Sequence, residues 1–368
     1  MGKIVRCVVI LCLIALAAPA VCQAGKKTSV VFASPGSKDD PFFGQMVSFM
    51  QAAAEDLGFE LDVYYGDRNH VLIDENVKHI FNRRPLPDYV IGMNARGSGR
   101  EMVEKAEALG VKLIFINQSF LGGERLEMGL PGTKYKNWLF ELLPNDVHAG
   151  YLLAKTLIDA KFSSVETDKK ISIIAINGLH DSPASILRIQ GFKKALAEHP
   201  NVLFEQELYA KWKRDVARAY TLRLLERYPD ASIVWSASDV MALGVADGIG
   251  DYGKIPGKDV LTGGVDWAAE GLTSVKNGLS TASVGGHFME GGWALVMLYD
   301  YIHGVPVPNQ SKSFFSVLTA DNVQDYITHF GDGNWSKVNF LRFSKAENPD
   351  MLEYPFGLAA ILEQVKTQ

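Results

Sequence analysis

Beyond residue 24 the sequence contains no cysteine; Cys7, Cys12 and Cys22 are the only three. Their absence from the remainder excludes disulfides, thiolate nucleophiles and cysteine-ligated metals there. Long hydrophobic runs are missing from the same region, where no stretch approaches the ~20 apolar residues of a membrane span. Basic charge is not in excess: 37 Lys and Arg face 42 Asp and Glu. A nucleic-acid partner would need a basic face, so none is expected. The eight histidines form no H-x-x-x-H or H-E-x-x-H pair, which gives no reason to expect a metal site. No G-x-S-x-G elbow occurs. Nothing demands covalent chemistry, and the expectation is a non-enzyme without cofactor.

What is present begins with a leader. Lys3 and Arg6 precede an unbroken apolar run from Cys7 to Ala18, followed by Pro19-Ala20 and Cys22-Gln23-Ala24. A charged start, a short apolar stretch and small residues at the end form a secretory signal peptide over residues 1–24, with cleavage after Ala20 or Ala24. Lipid modification at Cys22 is the weaker alternative. Removing Lys3 and Arg6 takes the net charge from −5 to −7. The remaining chain is long enough to bury two cores without covalent staples.

Strand and helix signals alternate along it. Thr28–Ala33 is a β-branched, apolar run. Asp39 or Asp40, with Pro41, opens a helix whose apolar residues Phe42, Met46, Phe49, Met50, Ala53 and Leu57 follow helical spacing to a stop at Gly58. Strands follow at 61–65, 89–93 and 111–116, separated by helices over 72–83 and 99–109. The second half repeats the rhythm, with helices over 146–160, 183–197, 214–228, 239–249 and 267–276 between strands at 171–176, 202–208, 232–235, 260–263 and 281–284. This alternation predicts α/β architecture, two doubly wound parallel sheets with helices on both faces. Ligands of such sheets bind at the carboxyl ends of the strands. The G-x-G-x-x-G match at Gly248–Gly253 follows a helix, where a dinucleotide site must follow a strand, so it reads as a helix stop. After about residue 316 the pattern is less regular.

Six blocks then occur in a particular order: Ser34-Pro35-Gly36-Ser37-Lys38-Asp39-Asp40-Pro41-Phe42-Phe43; Pro144 to Gly150; Arg188-Ile189-Gln190-Gly191-Phe192; Trp212 before a helix leading to Tyr228-Pro229-Asp230; Ser238 to Gly244; and Gly264-Val265-Asp266-Trp267. The series resembles the periplasmic ribose- and galactose-binding proteins, which share their fold with sugar-responsive repressor cores, over roughly residues 28 to 320. The resemblance implies the type I fold, two lobes joined by three crossings near 145, 286 and 315. It assigns 25–144 plus 287–315 to the first lobe, and 145–286 plus 316–368 to the second lobe and tail.

A sugar offers hydroxyls that donate and accept, and apolar C–H faces; its pocket needs polar side chains for the first and aromatic rings for the second. By resemblance, Asp40 sits where the family binds a hydroxyl, Phe42 and Phe43 where it stacks one ring face, and Trp212 where it stacks the other. Asn94 and Asn117 match first-lobe contacts; Arg188, Ser238 and Asp266 match second-lobe ones. Ser34 and Trp267, within the matched blocks, complete the candidates. Core packing competes with ligand contact at Phe42 and Phe43, and helix capping competes at Asp40. A buried Arg188 needs a partner, which Asp266 or the ligand would supply.

The sequence also departs from the family. Asn117-Gln118 replaces a common Asp-Arg pair, Gly285-Gly286 replaces an amide near the lobe return, and Ser238 stands where Asn is common. The expectation is a periplasmic, monomeric solute-binding protein that closes on a sugar or polyol and delivers it to the permease of an ABC importer. In length the chain also resembles receptors for the autoinducer-2 signal, which implies a membrane sensor kinase as the alternative partner.

Overall fold

The computed structural model describes residues 27–163 and 170–367; the leader predicted at 1–24 lies outside the described residues. Its strands are β1 (Ser29–Ser34), β2 (Glu60–Tyr65), β3 (Tyr89–Gly92), β4 (Lys112–Ile116), β5 (Trp138–Pro144), β6 (Ile171–Asn177), β7 (Val202–Tyr209), β8 (Ala231–Ser236), β9 (Leu261–Val265), β10 (Ala282–Gly285), β11 (Gln310–Ser313) and β12 (Ser316–Thr319). They form two six-stranded sheets, ordered β11-β5-β4-β3-β1-β2 and β12-β10-β9-β8-β6-β7. Every pairing in the first is parallel. In the second only the edge pair β10–β12 is antiparallel.

The helices are α1 (Phe43–Asp56), α2 (His70–Asn82), α3 (Gly99–Leu109), α4 (Gly122–Met128), α5 (Asp146–Phe162), α6 (Pro183–Ala197), α7 (Arg214–Arg227), α8 (Asp239–Asp251), α9 (Ala269–Lys276), α10 (Glu290–Ile302), α11 (Val323–Phe330) and α12 (Leu358–Lys366). In the first lobe α2 and α3 bury Val77, Phe81, Met102 and Val103 against one sheet face. On the other face, Met46, Phe49 and Met50 of α1 pack with Trp293 and Leu295 of α10. Central strands such as Leu113–Ile116 are buried on both faces, as a parallel sheet requires. The second lobe has its own core around Ile173, Phe192, Trp235 and Met241. Gly248 and Gly250 lie in the last turns of α8, the helix stop that their context predicted.

The chain changes sheet between β5 and β6, returns to the first lobe with α10, and changes again between β11 and β12. Seven elements escaped the sequence reading: β5, the short strands β11 and β12 that flank the last of these crossings, and the helices α4, α10, α11 and α12. The tail requires a correction. Assigning 316–368 to the second lobe fits β12 and α11, which pack with β10 and α9. From Trp335 onward the chain lies on the first lobe instead. Trp335 and Phe340 meet the Phe49 ring edge-on at 5.1 and 5.0 Å, and Phe356 stacks on Trp293 at 4.7 Å. The buried Asp300 carboxylate of α10 fastens it, accepting hydrogen bonds from the Ser344 hydroxyl, the Lys345 and Ala346 amides and the Tyr354 hydroxyl. The aromatic side chains decide the placement, since they cover apolar surface of α1 and α10 that would otherwise face water.

Candidate functional site

The carboxyl ends of both sheets converge on one cleft, and the backbone there is unusual. Among the described residues eight that are not glycine have positive φ: Asp67, Arg68, Arg96, Asn117, Lys211, Trp212, Asp266 and Trp267. Each follows a strand of the parallel array, after β2, β3, β4, β7 or β9. Left-handed backbone at ordinary residues costs roughly 1–3 kcal/mol and collects at binding sites. Two of these turns bring Arg68 and Asp266 near each other from opposite lobes.

In the second lobe the centre is Arg188 on α6. Two glycines bring α6 against α5. A Cβ on Gly150 would stand 1.9 Å from the Arg188 carbonyl oxygen, and one on Gly191 would stand 1.8 Å from that of Val147. This close crossing sets the buried guanidinium beside the first residue of α5: Arg188 Nε donates to Asp146 Oδ1 at 2.8 Å. Its Nη1 donates to the Ala237 carbonyl at 2.7 Å and to Asp266 Oδ1 at 3.4 Å. Its Nη2 lies 3.1 Å from His287 Nε2. A guanidinium only donates, so Nε2 accepts and the imidazole carries its proton on Nδ1. His287 Nδ1 is buried without a partner among the described residues.

Burial dominates the protonation of this cluster. It pushes Asp266 up to about 8; Arg188 and Arg68 oppose the shift and Asp239 adds to it. It also raises Asp146 against the pull of Arg188. His287 is held well below its ordinary value by burial and by the neighbouring Arg188 charge, so it stays neutral.

The first lobe contributes a different pair. Asp40 Oδ1 accepts the amides of Phe42 and Phe43, each at 3.0 Å, and so caps α1. The same carboxylate holds Arg68 through Nε and through Nη2 at 3.1 Å. The Arg68 guanidinium lies over the Phe43 ring, 5.4 Å from its centroid. It is near enough to Asp266 to help stabilise that carboxylate across the cleft. Phe42 stacks on His287 at 4.5 Å, and His287 meets Phe315 at 4.7 Å. This aromatic column runs from the first lobe through two of the crossings and touches the charged cluster at Arg188.

The structure thus brings together Asp40, Phe42, Phe43, Arg188 and Asp266. Asn117 follows β4 with a buried side chain that has no protein partner among the described residues. Trp212 follows β7 and covers Gly178 at the end of β6; a Cβ there would meet the indole at 2.1 Å. The other candidates are occupied by the protein itself. Asn94 accepts from the Gly99 amide and donates to Glu124, each at 3.0 Å. Ser238 caps α8 through the Met241 amide at 3.4 Å. Ser34 donates to the Gly36 carbonyl at 3.5 Å. Trp267 is buried, donates its indole N–H to the Ser283 carbonyl at 3.1 Å and packs on Tyr326. The Asp239 carboxylate binds the Ala268 amide and the Ser283 hydroxyl, holding the turn after β9.

Sequence reasoning missed Arg68, Asp146 and His287 as members of this cluster. Asp146 alone carried a signal: it opens a helix beside the segment that closely approaches Arg188. Among the described residues no group of His, Asp or Glu is arranged to hold a metal ion, and no helix is long and apolar enough to cross a membrane.

Comparison with known proteins agrees with this geometry. The family model described as periplasmic binding protein domain matches residues 30–305. A periplasmic sugar-binding protein from Pseudomonas fluorescens has a similar structure, with a TM-score of 0.81, 33% identity, and coverage of 91% of this chain and 99% of that one. The ribose import binding protein RbsB of Haemophilus influenzae is 24% identical over 268 residues, 72% of this chain and 82% of that protein. The arabinose-binding component of a Shewanella transporter shares the fold, with a TM-score of 0.70 at 19% identity, over 82% of this chain and 95% of that one. With two α/β lobes and the ordered motifs in place, this chain belongs to the periplasmic binding protein family, in its ribose- and galactose-binding type.

Proposed function

We propose that the chain binds one monosaccharide in the interlobe cleft and delivers it, as a monomer in the periplasm, to the permease of an ABC importer. The observation that carries this reading is the meeting of Arg188, Asp266 and neutral His287 with Phe42, Phe43 and Arg68 at the facing strand ends. Convergent donors and acceptors suit vicinal hydroxyls, and aromatic faces suit C–H faces. The printed ligands of relatives support the class: ribose for the Haemophilus protein, D-allose and L-arabinofuranose for two structural neighbours. Export through a cleaved leader accounts for the charged, apolar start of the sequence.

In the proposed site Arg188 and Asp266 take hydroxyls from the second lobe, and Arg68 and Asn117 take them from the first. Trp212 and the Phe42–Phe43 pair enclose the ring. Asp40 works through Arg68, which it holds. Ser34, Asn94, Ser238 and Trp267 shape the surrounding turns. A ligand touching both lobes favours the closed form, because only unequal affinity for two states shifts their balance. The importer reads the closed outline.

The test is calorimetric titration and thermal shift with D-ribose, D-allose, L-arabinose and D-galactose. One of them is expected to bind with micromolar or tighter affinity and to raise Tm. Absence of binding by every sugar and polyol in a broad panel would overturn the reading.

A further inference from the structure

The lobes meet a second time, at the tail. Tyr326 of α11 packs on Trp267 of the second lobe at 5.1 Å. Phe330 lies nearly parallel to Trp335 at 4.8 Å, and Trp335 meets Phe49 of the first lobe at 5.1 Å. Ser48 of α1 donates to the Gly333 carbonyl at 3.3 Å. Between these contacts lies a cavity of about 180 Å³, with walls from α1, from α9 and the turn before it, and from the tail.

Its lining is specific in kind. Trp267, Tyr326, Phe330 and Trp335 present aromatic surface, and no charged side chain lines the space. Tyr326 is only 3% exposed, and its hydroxyl has no hydrogen-bond partner among the described residues. The indole N–H of Trp335, also 3% exposed, has none either. Burial alone raises the Tyr326 phenol well above its ordinary value, so it stays a neutral donor. Neither donor atom is fully enclosed, so each meets water that the acceptor oxygen of a ligand can displace.

We propose that this cavity is a second binding site, separate from the sugar cleft, for a neutral, ring-sized molecule bearing an acceptor oxygen. A volume of this order holds a benzene-sized ring; an engineered cavity of roughly 150 Å³ does so. The rings of Phe330 and Trp335 take its flat face, and the Tyr326 hydroxyl and Trp335 N–H take its oxygen. Since both lobes and the tail contribute walls, an occupant stabilises the lobe arrangement that holds those walls at this spacing. It therefore raises affinity for the cleft ligand, and the cleft ligand raises affinity for it by the same factor.

A cyclic carbonyl compound and a sugar ring both have this chemistry, and the experiment separates them. The described protein is titrated with cyclohexanone, γ-butyrolactone and methyl β-D-glucoside, following tryptophan fluorescence and heat. The expected result is saturable binding of at least one probe. Thr273→Trp, which fills the cavity from an exposed position on α9, abolishes it. Tyr326→Phe weakens it about fivefold, the loss of one hydrogen bond, and leaves probe-free sugar affinity unchanged. Trp212→Ala, a cleft variant, leaves probe binding intact. Binding confined to the carbonyl probes identifies an apolar cyclic effector, and binding of the glucoside identifies a second sugar. No saturable binding of any probe below about 10 mM, or binding that survives Thr273→Trp, overturns the proposal. Because the probes report independently of the cleft, failure of the importer reading would not be mistaken for failure of this one.

Discussion

In the second lobe the side chain of Arg188 is 4% exposed and is fixed by two carboxylates, a carbonyl and an imidazole. In the first lobe Arg68 is 48% exposed, sits on a loop and is held by the Asp40 carboxylate. The two guanidiniums face one cleft with opposite degrees of preparation. The second lobe offers a rigid template whose desolvation is already complete. The first offers a half-exposed cation held against a capped helix start. A ligand would meet a preorganised half and an adaptable half, so affinity should rest mainly on the former and closure on the latter.

The largest test of this contrast is Arg188→Ala. It leaves Asp146 buried beside no cation, and unfolding in urea should show a loss of about 3–5 kcal/mol together with loss of sugar binding. Arg188→Met, which fills the space without charge, should fold better than Arg188→Ala and still fail to bind. Next come Asp266→Ala and Trp212→Ala, each expected to weaken sugar affinity about tenfold or more by calorimetry, since each removes a desolvated contact worth about 1–3 kcal/mol. Unchanged affinity in both would show that the ligand lies elsewhere.

The pH dependence sharpens the same comparison. Asp266 rises from an ordinary 3.8 to about 8 in the folded protein. The native state thus keeps a proton that the unfolded chain releases. The associated stability is full below pH 4 and drains away as pH climbs to and through 8. Melting curves of the ligand-free protein should fall over this window, and Asp266→Asn should flatten the decline. An equal slope in both would assign the proton to another group. The smallest effect belongs to Arg68→Ala, which should cost less than about 1 kcal/mol of stability because the arginine is half exposed and the buried Asp40 keeps its two backbone donors. Its sugar affinity should drop a few-fold and lose part of its salt dependence. A stability loss matching that of Arg188→Ala would erase the distinction between the halves.

The β-α alternation was legible because strand runs such as Thr28–Ala33 and stops such as Gly58 and Gly110 mark their own ends. Strand β11 was not, since Gln-Ser-Lys-Ser has no apolar pattern and is ordered by pairing with Glu141 to Pro144. The tail read as irregular because Trp335, Phe340, Phe343 and Phe356 follow neither period; they answer to the shape of α1 and α10. In the site, Arg188 with Asp266 was inferable, as a buried cation demands a counter-charge. Arg68 with Asp40, and Phe42 with His287, are separated by 28 residues in one case and by about two thirds of the chain in the other. Only the folded path brings such pairs together. Asn94 and Ser238 show the reverse: their hydrogen-bonding groups already serve the protein, Asn94 with the Gly99 amide and the Glu124 carboxylate and Ser238 with the Met241 amide.

Anchoring α11 on one lobe and Trp335 on the other has a mechanical consequence. Only Gly331 to Asn334 separate the two anchors, and even fully drawn out such a tether reaches no more than about 18 Å. Swinging the lobes apart therefore pulls on a short leash. Its slack sets how wide the mouth can gape, and lengthening that leash by a few residues would enlarge the gape while leaving every sugar-facing atom in place.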